Sequence, residues 1–207
     1  APVEGFGRAA TVRNIYKKPV IFDEVCYEGN MDNRWGSLSG QEMLYRMWQG
    51  TVAGTYVGHG ECYMDSPTDY SRDFLAIGGT FQGEAWKRIG FMRDILDAMP
   101  NPLMLSDSSW DPYTSTAGEN YYIIYLGKGI KPRWTFELPV KNGVYPCLKE
   151  GVRMKVEIID TWNMTVTECP QVFETTAPVG DRVYDKKHGC VRLPDAPYLM
   201  LRITAAE

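Results

Sequence analysis

The run Pro19-Val20-Ile21-Phe22-Asp23-Glu24-Val25-Cys26-Tyr27-Glu28-Gly29-Asn30 sets three apolar residues directly ahead of two carboxylates, with a tyrosine and a third carboxylate close behind. A proline can open a strand without removing a ladder donor the strand needs, and Val20 to Phe22 form the short apolar run of a parallel strand covered on both faces. The spacing predicts a strand over 19–25 that delivers Asp23, Glu24 and Glu28 to its carboxyl end. In α/β folds that end is where ligands bind. Alternation puts Val20, Phe22 and Glu24 on one face and Ile21, Asp23 and Val25 on the other. Only one acid of the adjacent pair then faces a site; Glu24 is the candidate, and Asp23 bonds neighbouring loops. Charging a carboxylate at the end of a buried strand costs free energy unless donors or cations meet it, which favours a site. Capping of the next loop, or pairing with Arg34 or Arg46, would explain the same acids.

Outward from this run, residues 8–18 read as the end of a helix with Val12, Ile15 and Tyr16 on one face. Ser39 and Glu42 have capping-box spacing, and Met43, Leu44, Met47 and Trp48 form the apolar stripe of a helix that ends near Gly50 to Gly54. A second strand over 55–59 runs into His59-Gly60-Glu61-Cys62-Tyr63, repeating the β-loop-α-β order. Residues 84–99 carry Trp86, Ile89, Phe91, Met92, Ile95 and Leu96 at helical spacing and stop at Pro100. Beyond Pro100-Asn101-Pro102 the helical period disappears. Strands are predicted over 121–126, 134–138, 152–160, 164–168 and 198–204, with turns at Gly127-Lys128-Gly129, Lys141-Asn142-Gly143 and Leu193-Pro194-Asp195. The expected architecture is α/β plus all-β, with an α/β region over 1–100 and a small antiparallel β-sandwich over 101–207.

Composition narrows the function classes. Across 207 residues the formal net charge is −4 with no run of like charges, so nucleic acid is an unfavourable partner. No apolar stretch approaches the roughly 18 residues that span a bilayer, so no membrane segment is expected. Five cysteines, an odd number without C-x-x-C spacing, indicate neither a disulfide framework nor a zinc ribbon, so free thiols are expected. The chain opens on Ala1-Pro2-Val3, as a mature form or a fragment would. Free thiols suit the cytoplasm, whereas an export signal would sit on a preceding region, so the compartment stays open.

The residues around the first strand suit carbohydrate. Tyr27, Trp35 and Tyr63 can offer flat faces to sugar C–H groups beside the carboxylates, although packing would explain each ring singly, and Trp48 belongs to its helical stripe. His59 and Glu61 share parity and can both point toward the end of the first strand. His59, Glu61 and Cys62 lie too close along one strand to converge on a metal, and no second cluster completes a set, so no metal or other cofactor is expected. A Cys26–His59 nucleophilic pair lacks any cysteine-hydrolase signature.

Residues 18–30, Trp35-Gly36, Gly54-Thr-Tyr-Val-Gly-His-Gly-Glu-Cys-Tyr63 and Arg88-Ile-Gly-Phe-Met-Arg-Asp-Ile-Leu96 resemble the last two βα units of a clan A glycoside hydrolase barrel, in particular its apiosidase-like group. Tyr121-Tyr-Ile-Ile-Tyr-Leu-Gly127, residues 156–165 and residues 193–202 resemble the β-sandwich that closes those enzymes. The resemblance covers almost the whole chain and implies the C-terminal portion of a (β/α)8 barrel followed by that sandwich. It further implies a retaining mechanism with Glu24 as nucleophile and with Tyr27, Glu28, Trp35, His59, Glu61 and Tyr63 binding substrate at the same mouth. The general acid/base of this clan comes from barrel strand four, which has no counterpart here, so the chain alone should be inactive. Retention needs two carboxyl groups roughly 5–5.5 Å apart.

Two parallel strands with open edges should seek partners, which makes the missing N-terminal barrel segment or a second copy of the chain the expected companion. A rival expectation is a non-catalytic carbohydrate-binding or scaffolding protein working through the sandwich, with Trp110, Tyr113, Trp134 and Trp162 as its aromatics. Trp162 also suits a core position or a plug between domains.

Overall fold

A computed structural model of the chain describes residues 6–64, 66, 81–105, 114–140 and 145–206. The chain falls into two compact units, residues 1–51 with 55–97, and residues 52–54 with 98–207. Among the described residues no helix is long and apolar enough to cross a membrane.

In the first unit, helix α1 spans Phe6–Tyr16. Phe6 and Ala9 are buried, and the Phe6 ring meets Phe22 edge-on at 4.6 Å. That contact makes residues 6 and 9 the inner side, so the expected apolar face of Val12, Ile15 and Tyr16 is instead exposed. Helix α2, Gly40–Val52, starts as its capping spacing predicts: the Glu42 amide donates to Ser39 Oγ at 3.1 Å. Its stripe of Met43, Leu44, Met47 and Trp48 is buried, each such side chain contributing about 1.5–3 kcal/mol. A side chain at Gly50 would collide with Val57 and Phe6, so this glycine lets the helix lie close to the following strand. The turn after α2 uses Gly54 at φ 75°, a conformation glycine adopts without strain.

The two expected strands are shorter than the sequence suggests. Strand β1 is Ile21–Phe22 and β2 is Glu28–Gly29; after α2 come β3, Tyr56–Val57, and β4, Glu61–Cys62. β1 pairs in parallel with β3, and β2 in parallel with β4, setting Glu28 opposite Glu61. Each long strand is thus interrupted, over 23–27 and over 58–60. Ile21 is 65% exposed, so β1 is not covered on both faces within this chain. The alternation that linked Phe22 to Glu24 does not extend past Phe22, because the backbone leaves strand geometry there and Cys26 takes φ 69°. Helix α3 spans Ala85–Asp97 and buries Ala85, Met92 and Ile95, whereas Trp86, expected in the stripe, is 39% exposed.

In the second unit the strands are β5 Met104–Leu105, β6 Thr114–Gly118, β7 Tyr121–Gly127, β8 Arg133–Thr135, β9 Glu137–Pro139, β10 Arg153–Asp160, β11 Thr165–Glu168, β12 Phe173–Glu174, β13 Arg182–Tyr184, β14 Cys190–Arg192 and β15 Leu199–Ala205. One antiparallel sheet has the order β11-β10-β15-β7-β6-β5, with β12 also on β10, and β9–β13 and β8–β14 form two short antiparallel ladders. The sheet and the ladders share a core that includes Ile124, Val156, Leu201, Leu138, Val183 and Val191, centred on Phe136 stacked against Phe173 at 4.6 Å. The strand expected over 134–138 is split at Phe136, which turns into this core while its flanks pair with different partners. β6 and β12 to β14 escaped prediction because they are short or, in β6, built from small polar residues that are nevertheless buried. Trp134 packs against the core, and Trp162 is half-buried on the turn after β10 rather than in the core. Trp110, Tyr113 and the predicted turn at 141–143 lie outside the described residues. None of the five cysteines is in a disulfide.

Candidate active site

The interruption of the first strand creates the first group of candidate residues. Val25 turns inward and is buried, which leaves Asp23 and Glu24 exposed. Arg46 holds the break in place: its Nη1 donates to the Val25 carbonyl at 2.7 Å and its Nε to Glu42 Oε1 at 2.9 Å. Arg46 is therefore committed to Val25 and Glu42. The partner of Glu24 is Tyr27, whose hydroxyl donates to Glu24 Oε1 at 2.7 Å. That hydrogen bond, then burial and the charges of Glu24 and Asp23, push the Tyr27 phenol up to about 12. The Tyr27 ring occupies the space a side chain at Gly60 would need, and meets Trp35 edge-on at 5.9 Å. Trp35 is held by its carbonyl, which accepts from the Tyr27 amide at 2.7 Å, and by Asn33 Oδ1, which accepts from the amides of Trp35 and Gly36. An exposed carboxylate with a phenol hydrogen-bonded to it and an indole alongside can bind a polyol or attack an electrophilic carbon.

The second group is built by the parallel register of β2 and β4. Glu28, 1% exposed, accepts from the Glu84 amide on Oε1 at 2.7 Å and from the Ala85 amide on Oε2 at 3.0 Å. Glu61 Oε2 accepts from the amides of Gln82 at 2.7 Å and Gly83 at 3.0 Å. Four successive backbone N–H groups at the start of α3 are thus satisfied by two carboxylates, which also complement the positive end of the helix dipole. Gly83 permits this approach, since a side chain there would overlap the Glu28 carboxyl. Tyr63 Oη lies 3.4 Å from Glu28 Oε1, and burial followed by the charges of Glu28 and Glu61 pushes its phenol up to about 12. His59 Nε2 is 3.9 Å from Glu61 Oε1; burial lowers the imidazole pKa, opposed by the charges of Glu61 and Glu28.

The seven candidate residues therefore form two groups, Glu24 with Tyr27 and Trp35, and Glu28 with His59, Glu61 and Tyr63. His59, Glu61 and Cys62 lie too close along the chain for their spacing to predict convergence on a metal. Tertiary structure instead adds Glu28 to His59 and Glu61, with one donor atom from each within 4.8 Å of the others. The sequence reading missed the amides of Gln82 to Ala85 as partners of both glutamates, although a helix start with no capping residue of its own is a signal that acceptors must come from elsewhere. It also missed Phe81, whose ring meets His59 edge-on at 5.5 Å and stacks on Trp86 at 6.0 Å.

Residues 110–204 match the model of a family described as a domain of unknown function, DUF5605. No curated protein matches the chain significantly. Among solved structures, a protein from Bacteroides vulgatus ATCC 8482 provisionally assigned as a glycoside hydrolase is similar with 52% identity and a TM-score of 0.90, over 100% of this chain and 40% of that one. A family 5 glycoside hydrolase from the same organism matches with 9% identity and a TM-score of 0.64, over 98% of this chain and 45% of that one. A further glycoside hydrolase matches with 11% identity and a TM-score of 0.58, over 98% and 46%; these two likenesses concern the fold alone. The chain spans less than half the length of each of these three structures, and each of the three carries the description of glycoside hydrolase.

Proposed function

We propose that the chain is the C-terminal part of a retaining glycoside hydrolase of clan A, comprising the last two βα units of a (β/α)8 barrel and its closing β-sandwich, with Glu24 as the nucleophile. The observation that carries the proposal is the placement of Glu24 two residues after a parallel strand, exposed and accepting a hydrogen bond from Tyr27. The 52% identity to a provisionally assigned glycoside hydrolase supports the reading. Tyr27 orients the carboxylate, Tyr27 and Trp35 offer ring faces to the sugar, and His59, Glu61 and Tyr63 form the adjoining polar wall, backed by the buried Glu28. The acid/base carboxylate is supplied by a preceding barrel segment, which also covers the exposed Ile21 and Tyr56 beside the β1–β3 pair.

The test uses the full-length gene product and a panel of aryl glycosides. Glu24→Gln should reduce turnover by at least about a thousandfold while glycan binding persists. Glu24→Ala should regain cleavage of an activated aryl glycoside when azide is added as an external nucleophile. Undiminished hydrolysis by Glu24→Gln, or glycan binding by the wild type with no hydrolysis of any panel member, would remove the catalytic reading and favour a carbohydrate-binding role.

A further inference from the structure

We infer that Glu28, His59 and Glu61 form a binding site for a divalent transition-metal ion of the zinc type. The three side chains approach one another from β2, β4 and the link before β4: Glu28 on β2 is in register with Glu61 on β4, and His59 precedes Glu61 by two residues. One donor atom from each lies within 4.8 Å of the others. The inference does not rest on the role assigned to Glu24.

The second observation concerns hydrogen-bond satisfaction. Glu61 Oε1 and His59 Nε2 are both buried and have no hydrogen-bond partner among the described residues, although their side chains are only 9% and 12% exposed. A carboxylate oxygen and an imidazole nitrogen left unmatched in such a place cost free energy, and native structures rarely tolerate it without cause. Their separation of 3.9 Å is too long for a direct hydrogen bond. Tetrahedral ligands at metal–ligand distances of about 2.0–2.2 Å lie roughly 3.4 Å apart, so an ion between the two donors would draw them together by about half an ångström. The third donor, within 4.8 Å of the others, would close in by up to roughly 1.4 Å to complete such a site.

Glu28 keeps room for a metal despite its amide bonds. Its Oε2 accepts only the Ala85 amide among the described partners, and its contact with the Tyr63 hydroxyl is long at 3.4 Å. Each carboxylate oxygen has two lone-pair directions, so one amide does not exhaust it. The donor set selects the ion. Calcium and magnesium prefer oxygen alone, whereas an imidazole with two carboxylates suits zinc, cobalt or a similar ion. The ion would neutralise two carboxylates held side by side and tie β2 and β4 to the start of α3 through the amides those carboxylates already hold.

Cobalt(II) is the probe, because its visible bands report nitrogen and oxygen ligands and thiolate charge transfer would expose binding to the free cysteines instead. Titration of the full chain should reach one equivalent without thiolate bands, and zinc should raise the melting temperature. His59→Ala, which leaves every amide bond of α3 intact, should weaken cobalt binding at least tenfold and abolish the zinc-induced shift. Glu61→Gln keeps an acceptor for the Gln82 and Gly83 amides and should weaken binding similarly. Absence of binding by the wild type, equal affinity in His59→Ala, or thiolate bands at one equivalent would each overturn the inference.

Discussion

The Tyr27 hydroxyl donates to Glu24 Oε1 at 2.7 Å across a backbone break in which Cys26 takes a left-handed φ of 69°. The break and the bond depend on one another. If the chain continued as a strand past Phe22, Val25 would not turn inward and the phenol would have no fixed carboxylate three residues before it.

The pair has a defined response to alkali. In the unfolded chain the Tyr27 phenol ionises at its ordinary value of 10.0, while in the folded protein it holds its proton until about 12. Between these values the native state binds more protons than the unfolded state, so the contribution of Tyr27 is complete below pH 10 and is lost as pH rises to about 12. Tyr63 behaves alike, for a different first cause, its burial. Spectrophotometric titration should therefore show late-ionising tyrosine, and Tyr27→Phe should remove one such component while costing about 0.5–1 kcal/mol of stability.

The start of α3 should be the most substitution-sensitive part of the first unit. Glu28→Ala leaves the Glu84 and Ala85 amides without acceptors and should cost about 1–3 kcal/mol, whereas Glu28→Gln keeps one carbonyl acceptor and should cost less. Gly83→Ala should be comparably harmful, because its methyl group would overlap the Glu28 carboxyl. Thermal unfolding orders the three variants, and hydrogen exchange at the Glu84 and Ala85 amides should accelerate in Glu28→Ala.

In the second unit Asp185 does the equivalent work. Only 2% exposed, it accepts from the Glu174 amide on Oδ1 at 2.9 Å and from the Gly189 amide on Oδ2 at 2.8 Å. Asp185→Ala should destabilise by about 2–3 kcal/mol, and Asp185→Asn by clearly less, when compared by denaturant midpoints.

The stacked Phe136–Phe173 pair anchors the core shared by the sheet and its ladders. Phe173→Ala should cost about 3–5 kcal/mol through lost burial and a residual cavity. Val179→Ala, at a position 64% exposed, should stay within about 0.5 kcal/mol. Equal losses in chemical denaturation would show that Phe173 does not occupy the core.

Where side chains repeat with a clear period, the elements were legible in the residues themselves. Met43, Leu44, Met47 and Trp48 behind a Ser39 cap produced α2, and the apolar runs of β7 and β15 and the alternation of β10 produced their strands, because a periodic face leaves few ways to bury itself. Ile21 was misjudged because its apolar character does not reveal whether another element covers it. Trp86 and the α1 residues Val12, Ile15 and Tyr16 failed for the same reason.

By itself the sequence determined the three helices and the longer strands of the second unit, that carboxylates and aromatic residues follow the first strand, and that the cysteines form no disulfide framework, since these depend on local pattern and composition. Tertiary structure alone decided that the strands break after Phe22 and Val57, that Glu28 stands opposite Glu61 with His59 beside them, and that both glutamates accept from the amides of Gln82 to Ala85 that lead into α3. The reason is register. Parallel pairing joins residues more than thirty positions apart through backbone hydrogen bonds available to almost every residue, so nothing in the local spacing of Glu28 or Glu61 encodes their meeting.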